Sequence, residues 1–285
     1  MTGNDTQVKA MTILERLAAG DLLISDGATG TYLQQHGLEP GGCPEEFNAS
    51  RPDVVEGMAK AYFDAGSDMV LTNTFGGSRF MQKKYGYESR VSEFNRLAAE
   101  QAKSQAPDSN HYAVGSIGPT GEFLEPLGAV SDSEMYDSMT EQITALVEGG
   151  ADAILLETQM AIEEAIIGVK AAKDNTDLPV IATMVFDKGP RGFFTMMGVT
   201  PQRAVKELKE AGADIVGSNC GNGIKVMVDL AREMRQATDG YMLIHSNAGI
   251  PSIRQGQIVY PETPEFMMDG FKELADMGVN IIGGC

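Results

Sequence analysis

Four segments of the chain repeat one pattern, in which an amphipathic stretch ends at a small-residue turn and continues into a short apolar run. They lie at 65–71, 149–155, 211–216 and 277–282, and the residues just before their apolar runs are Asp68, Asp152, Asp214 and Asn280. A helix that ends on a residue with positive φ, followed by a turn and a buried strand, has this appearance. The repeats lie roughly 60 to 85 residues apart, about two βα units of ~30 residues each. They therefore mark every second unit of a longer alternation, and the Asp residues are expected to act as caps and turn residues.

Four further apolar runs, at 22–25, 112–116, 179–184 and 241–245, fit between the repeats. Amphipathic stretches at 52–65, 133–148, 201–211 and 263–277 predict helices between the strands. Eight strands that alternate with helices predict an α/β fold, a single-domain (β/α)8 TIM barrel. A doubly wound open sheet is the alternative.

No change of composition and no linker divides the chain. Residues 1–12 are expected to be a polar N-terminal extension, and residues 13–285 the barrel. Because the sequence stops at Cys285, at the end of the eighth strand, the barrel is expected to lack its last helix. The outer faces of its first and last strands would then be exposed.

Composition and charge indicate which kinds of binding partner and which cellular location the protein is expected to have. The 285 residues carry a formal net charge of −18, which argues against binding to nucleic acid or to an anionic membrane. No apolar run approaches the ~18 residues of a membrane span, and the polar N-terminus lacks a signal-peptide core. We therefore expect a cytoplasmic protein. The sequence does not indicate the oligomeric state.

Only three cysteines occur, and two of them follow predicted strands. Cys43 lies in a Gly-Pro-rich loop and is expected to be an ordinary loop residue, whereas Cys220 and Cys285 end the sixth and eighth strands. The active sites of β/α barrels lie at the carboxyl ends of the strands. Two thiolates that converge there suit zinc, which can hold a thiol substrate in an open position. Buried apolar filling is the alternative for such cysteines.

The strand-end motifs, taken together and in order, resemble the homocysteine S-methyltransferase family, and especially the homocysteine-binding modules of cobalamin-dependent methionine synthases. The resemblance covers nearly the whole chain, from about residue 13. Its motifs are 26–31 (Asp-Gly-Ala-Thr-Gly-Thr), 44–48 (Pro-Glu-Glu-Phe-Asn), 72–76 (Thr-Asn-Thr-Phe-Gly), 118–122 (Gly-Pro-Thr-Gly-Glu), 186–187 (Phe-Asp), 219–220 (Asn-Cys), 247–249 (Asn-Ala-Gly) and 283–285 (Gly-Gly-Cys).

The resemblance implies transfer of a methyl group to homocysteine, giving methionine. It implies Zn²⁺ held by Cys220, by Cys285 and by a further Cys immediately after Cys285, with Asn247 completing the metal shell before substrate binds. The residues expected to contact homocysteine are Asp26, Gly27, Ala28, Thr29, Asn73, Glu157 and Asn247.

Three explanations for the missing third ligand stay open. The sequence is a shortened version of a longer chain, or a stop codon read as selenocysteine follows Cys285, or the chain is natural and another residue substitutes. His245 is the best substitute, because it lies two residues before Asn247 and shares its inward face. A hydrogen-bonded core histidine is the alternative interpretation of His245.

The methyl donor is expected to be methylcobalamin on a separate corrinoid protein, since the chain has no cobalamin or folate domain. S-methylmethionine, S-adenosylmethionine and betaine are the alternative donors. A non-enzymatic alternative is a metal-poor docking subunit of a methyl-transfer complex. A metal-free lyase or aldolase would need a lysine at a strand end, and the strand-end motifs contain none.

Overall fold

Eight parallel strands form the centre of the molecule. The computed structural model describes residues 10–254 and 257–285. In chain order the strands are β1 (Leu23–Ile24), β2 (Met69–Leu71), β3 (Tyr112–Ile117), β4 (Ala153–Gln159), β5 (Val180–Met184), β6 (Ile215–Gly223), β7 (Tyr241–Asn247) and β8 (Ile281–Gly284).

The strands close into a barrel, each pairing in parallel with its neighbours along the chain. β8 pairs with β1 through Leu23 and Ile281, and a bridge between Ser25 and Met69 joins β1 to β2. This closure confirms the predicted (β/α)8 barrel, and the open-sheet alternative is wrong.

Helices separate the strands and cover the outside of the barrel. They are Ile13–Ala18, Thr29–Gln35, Phe47–Ser50, Pro52–Asp64, Arg79–Lys83, Val91–Ser104, Asp132–Glu148, Ile162–Asn175, Pro201–Ala211, Ile224–Arg235 and Pro264–Asp276, with 3-10 turns at Pro44–Glu46 and Glu88–Arg90. The four helices predicted from periodicity agree with these bounds to within one residue at each end. Two short hairpins, Asp187–Gly189 with Gly192–Phe194 and Ser252–Arg254 with Gln257–Val259, extend the loops after β5 and β7.

A short helix that the sequence pattern did not predict packs against the interior of the barrel. Helix Ile13–Ala18 begins with a capping box formed by Thr12 and Glu15. Its buried side chains Ile13 and Leu17 join the apolar cluster made by the inward-facing residues of the strands. Of the predicted polar extension 1–12, residues 1–9 lie outside the described residues, and the extension stays a prediction.

The repeated Asp and Asn residues pair strands reciprocally at the amino-terminal end of the barrel. Asp152 donates its backbone N–H to the carbonyl of Ala113 over 2.7 Å and accepts the N–H of Ala113 on its carboxylate over 2.9 Å. The same two bonds recur in three other pairs, which are Asp68 with Ile24, Asp214 with Val180 and Asn280 with Met242. The predicted role as turn residues is confirmed, with strand pairing added to it.

The outer face of the barrel is not covered evenly. Ile24 on β1 and the adjoining Leu22 are 42% and 41% exposed, whereas Ile282 on β8 is 3% exposed. The expected exposure thus holds for the first strand and is wrong for the last. Across the described residues, no helix combines the length and the apolar character that crossing a membrane requires.

Candidate functional site

A cavity of about 510 Å³ opens at the carboxyl ends of the strands. It brings together nine of the ten predicted site residues. These are Gly27, Ala28, Thr29, Asn73, Glu157, Cys220, His245, Asn247 and Cys285. The tenth, Asp26, does not line the cavity.

Cys220 reaches the cavity because the backbone departs from regular strand geometry. Ile215 faces the barrel interior and Val216 the outer core, so strict alternation would point Cys220 outward. Cys220 instead has a φ of 65°, and the pairing of β6 with β7 shifts register between Asn219 and Gly223. As a result the adjacent side chains of Asn219 and Cys220 both reach the active end of the barrel.

The thiols of Cys220 and Cys285 are close enough to hydrogen-bond to each other. The hydrogen bond from Cys285 lowers the pKa of Cys220, and the same contact raises the pKa of Cys285. The pair therefore loses its first proton more readily, and its second less readily, than an isolated thiol does. The Asn247 side chain also hydrogen-bonds to Cys220, and its buried Oδ1 has no hydrogen-bond partner among the described residues.

Glu157 is a buried carboxyl group in the wall of the cavity. Asn219 Nδ2 donates to its Oε2 over 3.0 Å, and the Ser116 hydroxyl donates to its Oε1. Burial raises the pKa of Glu157 to about 7, and the nearby charge of Asp26 adds to the effect. A buried carboxylate with a raised pKa favours a cationic partner, because such a partner offsets its desolvation.

Asp26 supports the cavity from outside its lining. Its Oδ2 accepts the N–H of Leu71 over 2.7 Å, and its carbonyl accepts the N–H of Gly284 over 2.8 Å. Asp26 thus ties β1 to β2 and to β8. The next residue is tightly packed, because a Cβ on Gly27 would lie 3.1 Å from the hydroxyl oxygen of Tyr62 and the Tyr62 ring would have to shift by a few tenths of an ångström.

Asn73 holds the loop after β2 in place. Its Nδ2 donates to the carbonyl of Pro44 over 2.7 Å and to Asn48 Oδ1 over 2.9 Å. The hydrogens of the Asn73 amide are therefore used within the protein, which leaves the carbonyl oxygen as the group that Asn73 can offer to a ligand.

His245 is buried in the cavity wall. Neither of its ring nitrogens has a hydrogen-bond partner among the described residues, and burial lowers its pKa to about 4. His245 is therefore a neutral imidazole at neutral pH, with one donor and one acceptor available. Within the described residues, no three His, Cys, Asp or Glu side chains are grouped closely enough to hold a metal ion.

Neither the third cysteine, Cys43, nor a lysine contributes to the cavity lining among the described residues. Cys43 is buried outside the cavity lining, where its sulfur contacts Glu45 and Gln82 at 3.4 Å, and burial raises its pKa to about 11. It is thus a protonated buried thiol, in line with the predicted ordinary role. Among the described residues no lysine lines the cavity, which disfavours a Schiff-base lyase or aldolase.

Asn219 is the residue of the site that sequence reasoning missed. Its fully buried amide contacts Glu157, Thr158, Thr183 and Cys285. The only sequence signal for this role is its place beside Cys220 in the Asn-Cys motif, where the prediction assigned a role to the cysteine alone.

The family model of homocysteine S-methyltransferases matches residues 23–285. The chain belongs to this family. It is 30% identical to the methionine synthase of Mycobacterium tuberculosis over 306 aligned positions, which cover all of this chain and 25% of that protein. It is also 30% identical to the methionine synthase of Mycobacterium leprae over 294 positions, covering 96% of this chain and 24% of that protein. The chain thus spans about a quarter of the length of these two relatives.

Solved structures agree with the fold. The metallated form of the homocysteine methyltransferase MmuM from Escherichia coli superposes with a TM-score of 0.79 at 17% identity, covering 96% of this chain and 95% of that one. Its apo form superposes with a TM-score of 0.73 at 16% identity, covering 96% and 94%. At this level of identity the likeness supports the barrel architecture alone.

Proposed function

We propose that the protein transfers a methyl group to the thiol of homocysteine, giving methionine. The observation that carries the proposal is the pairing of two chemistries in one cavity. Glu157 provides a buried carboxylate for an ammonium group, and Cys220 and Cys285 provide two sulfur ligands for a metal ion that would in turn bind a thiol. A thiol amino acid presents both of these groups, and homocysteine is the thiol named by the family.

The residues present suit Zn²⁺, although they do not form a complete ligand set. Two adjacent thiols and the unpartnered Oδ1 of Asn247 are donors that zinc accepts. When bound, zinc would lower the pKa of a substrate thiol so that it reacts as a thiolate. The third ligand stays a prediction, with the residue after the Gly-Gly-Cys motif as the expected one. His245 is the weaker substitute, because a ligating histidine usually has its other nitrogen paired.

The chain's own residues bind and orient the amino-acid end of the substrate. An ionised Glu157 would pair with the substrate ammonium, and the backbone N–H groups around Gly27 would bind its carboxylate. Asp26 acts indirectly, since its contacts with Leu71 and Gly284 fix the position of Gly27. Holding both ends of the substrate places its sulfur in a defined position for an in-line attack.

Methylcobalamin carried by a separate corrinoid protein is the donor that we favour, because the strand-end motifs resemble cobalamin-dependent methionine synthases. S-methylmethionine, S-adenosylmethionine and betaine remain alternatives. A metal-poor docking subunit is a second candidate function, and the hydrogen bond between the thiols of Cys220 and Cys285, which pairs them without a metal, is the observation compatible with it. The cytoplasmic location also stays a prediction.

Zinc content per chain tests the metal site. Purified protein and its Cys220→Ala and Cys43→Ser variants would be equilibrated with zinc, desalted and assayed for metal, with and without homocysteine. We expect Cys220→Ala to lose the zinc and Cys43→Ser to retain it, since Cys43 lies outside the cavity lining. Zinc retained without Cys220 would refute the site. A longer form that carries the residue after Cys285 would be assayed alongside, and failure of both forms to hold zinc would favour the docking function.

Calorimetric titration with homocysteine tests the amino-acid end. We expect Glu157→Gln to weaken binding by on the order of 100-fold, because a buried charge partner is lost. Glu164→Gln is the matched control, since Glu164 is also buried but bonds to Thr120 away from the cavity. Equal affinities of Glu157→Gln and wild type would contradict the assigned role of Glu157.

A further inference from the structure

We propose that Asn219 is the positioning residue that sets the span between the two ends of the substrate site, and thereby selects homocysteine over cysteine. The inference rests on the proposed function, which supplies the two ends. Asn219 itself takes no part in the chemistry. It holds the carboxylate of Glu157 and the thiol of Cys285 at a set separation.

The orientation of the Asn219 amide is fixed by its acceptor side. Its Oδ1 accepts the backbone N–H of Thr158 over 2.7 Å and the hydroxyl of Thr183 over 2.7 Å. A backbone N–H can only donate, so the oxygen and nitrogen of this amide cannot exchange places. The Asn219 side chain is fully buried, so water does not compete for these bonds.

The donor side of the same amide faces both ends of the site. Asn219 Nδ2 lies 3.0 Å from Glu157 Oε2, 2.7 Å from Thr158 Oγ1 and 3.8 Å from Cys285 Sγ. The first and last of these distances place the carboxylate oxygen and the sulfur no more than 6.8 Å apart, their sum. One rigid group therefore contacts both the carboxylate at the amino-binding end and the sulfur at the thiol-binding end, and limits how far apart they can lie.

The backbone around Asn219 needs this support. Thr158 and Cys220 have φ values of 57° and 65°, and they are the non-glycine residues with positive φ within the described part of the chain. Side chains with a Cβ rarely adopt this conformation unless surrounding contacts hold them there. The Asn219 side chain hydrogen-bonds to both the backbone N–H and the hydroxyl of Thr158. Asn219 also directly precedes Cys220. Loss of the amide would release Thr158 and, next to it, Glu157.

A fixed span distinguishes substrates that differ in length. Cysteine carries the same ammonium, carboxylate and thiol as homocysteine but has one methylene fewer. It cannot satisfy both ends of a site whose separation matches the longer molecule. A single methylene is worth about 10- to 200-fold in discrimination at a well-formed site. Widening or loosening the span should reduce this preference.

The decisive measurement compares L-homocysteine and L-cysteine binding to the zinc-loaded full chain by calorimetry. In Asn219→Asp a carboxylate oxygen replaces the donor Nδ2, with the shape of the side chain unchanged. That oxygen faces the carboxylate of Glu157 and cannot donate a hydrogen bond to it. We expect homocysteine to bind at least about 10-fold more weakly, and the homocysteine-to-cysteine preference to fall by about 10-fold. Asn222→Asp is the matched control, because Asn222 lies on the same strand but bonds to the carbonyl of Phe186, outside the cavity lining.

A preference that stays at the wild-type value in Asn219→Asp would overturn the inference, as would an equal change in Asn222→Asp. A partial loss of structure would weaken the binding of homocysteine and of cysteine by the same factor, so the expected fall in preference cannot arise from unfolding.

Crystal structures of the zinc-free wild type and the Asn219→Ala variant provide a second readout. We expect Thr158 to leave the left-handed region in the variant and the Glu157 carboxylate to move. If both stay in place, Asn219 does not position them. A wild type that binds no homocysteine would refute the proposed function, and this structural comparison would still decide whether Asn219 is a positioning residue.

Discussion

At the scale of single residues, the two carboxyl groups of Asp26 and Glu157 lie buried at the active end of the barrel. Burial is the largest cause of the raised pKa in each, and both pKa values are about 7. The charge of Asp26 also raises the pKa of Glu157. Both groups therefore change protonation in the neutral range, where most carboxylates stay ionised.

Asp26→Asn should flatten the pH dependence of stability. A carboxyl whose pKa is raised from 3.8 to about 7 binds more protons in the folded state, so its contribution to stability falls as pH rises through that window. Asparagine cannot ionise, and its oxygen can still accept the N–H of Leu71. Relative to wild type, the variant should gain up to about 4 kcal/mol between pH 4 and pH 8.

Urea unfolding of Asp26→Asn and wild type at a series of pH values measures this difference. Asp53→Asn is a suitable control, since Asp53 is exposed and its pKa is lowered beside Arg51. Parallel stability curves for Asp26→Asn and wild type would show that Asp26 titrates as an ordinary carboxyl group.

The sequence could predict those residues of the site whose chemistry is visible in the residue type. Cys220 and Cys285 carry sulfur at strand ends, and motif resemblance added Glu157 and Asn247. Asn219 was missed because an amide beside a cysteine gives no sign of where it points. Its contacts depend on the register shift in β6 and on the left-handed Cys220, and both arise from long-range packing.

At the scale of elements, the reciprocal Asp pairs link a strand to its neighbour through both backbone and side chain. The three Asp residues of these pairs also form ion pairs with basic side chains. Arg16 pairs with Asp68, Lys103 with Asp152 and Lys173 with Asp214. The fourth position, Asn280, makes the same two bonds to Met242 without a charge. The hydrogen bonds are thus the shared feature, and the ion pairs are additions.

Substitutions at Asp152 separate the hydrogen bond from the ion pair. Asp152→Ala leaves the N–H of Ala113 unpaired and should cost about 1–3 kcal/mol. Asp152→Asn keeps an acceptor, as Asn280 does naturally, and loses only the partly exposed pair with Lys103, at about 0–1 kcal/mol.

Unfolding free energies test whether Asp152→Ala loses more stability than Asp152→Asn. Asp177→Ala is the control, because Asp177 lies in an exposed turn before β5. Equal losses in the two Asp152 variants would mean that the ion pair carries the stabilisation. Homocysteine binding should stay at the wild-type value in both, because Asp152 lies at the opposite end of the barrel from the cavity.

At the scale of the whole molecule, helix Ile13–Ala18 packs onto the barrel interior before the first strand begins. Leu17 is 4% exposed within the cluster formed by inward-facing strand residues. Leu17→Ala should therefore destabilise the protein by about 2–4 kcal/mol. Leu14→Ala should cost less, since Leu14 is only partly buried against the same cluster. Thermal or urea unfolding measures both, and equal small losses would show that the helix contributes little.

The barrel could be predicted because eight strands recur with a regular period, and because parallel strands need helical crossovers. The six-residue helix Ile13–Ala18 could not, since it is too short to display a helical repeat. The two hairpins also escaped prediction. Their strands are three residues each, and they pair only with one another. Periodicity thus identifies elements that repeat, whereas short elements depend on what they pack against.

The reciprocal pairs divide the eight strands into four couples, β1–β2, β3–β4, β5–β6 and β7–β8. A chain cut between couples leaves every pair within one fragment, whereas a cut inside a couple separates two partners. Two co-expressed halves divided in the turn at 176–178 should therefore reassemble into a barrel more readily than halves divided between Met196 and Met197, although both cuts fall in exposed connections. The barrel is then an assembly of four strand couples, each joined by reciprocal hydrogen bonds. A natural or designed half-barrel would contain complete couples rather than single strands.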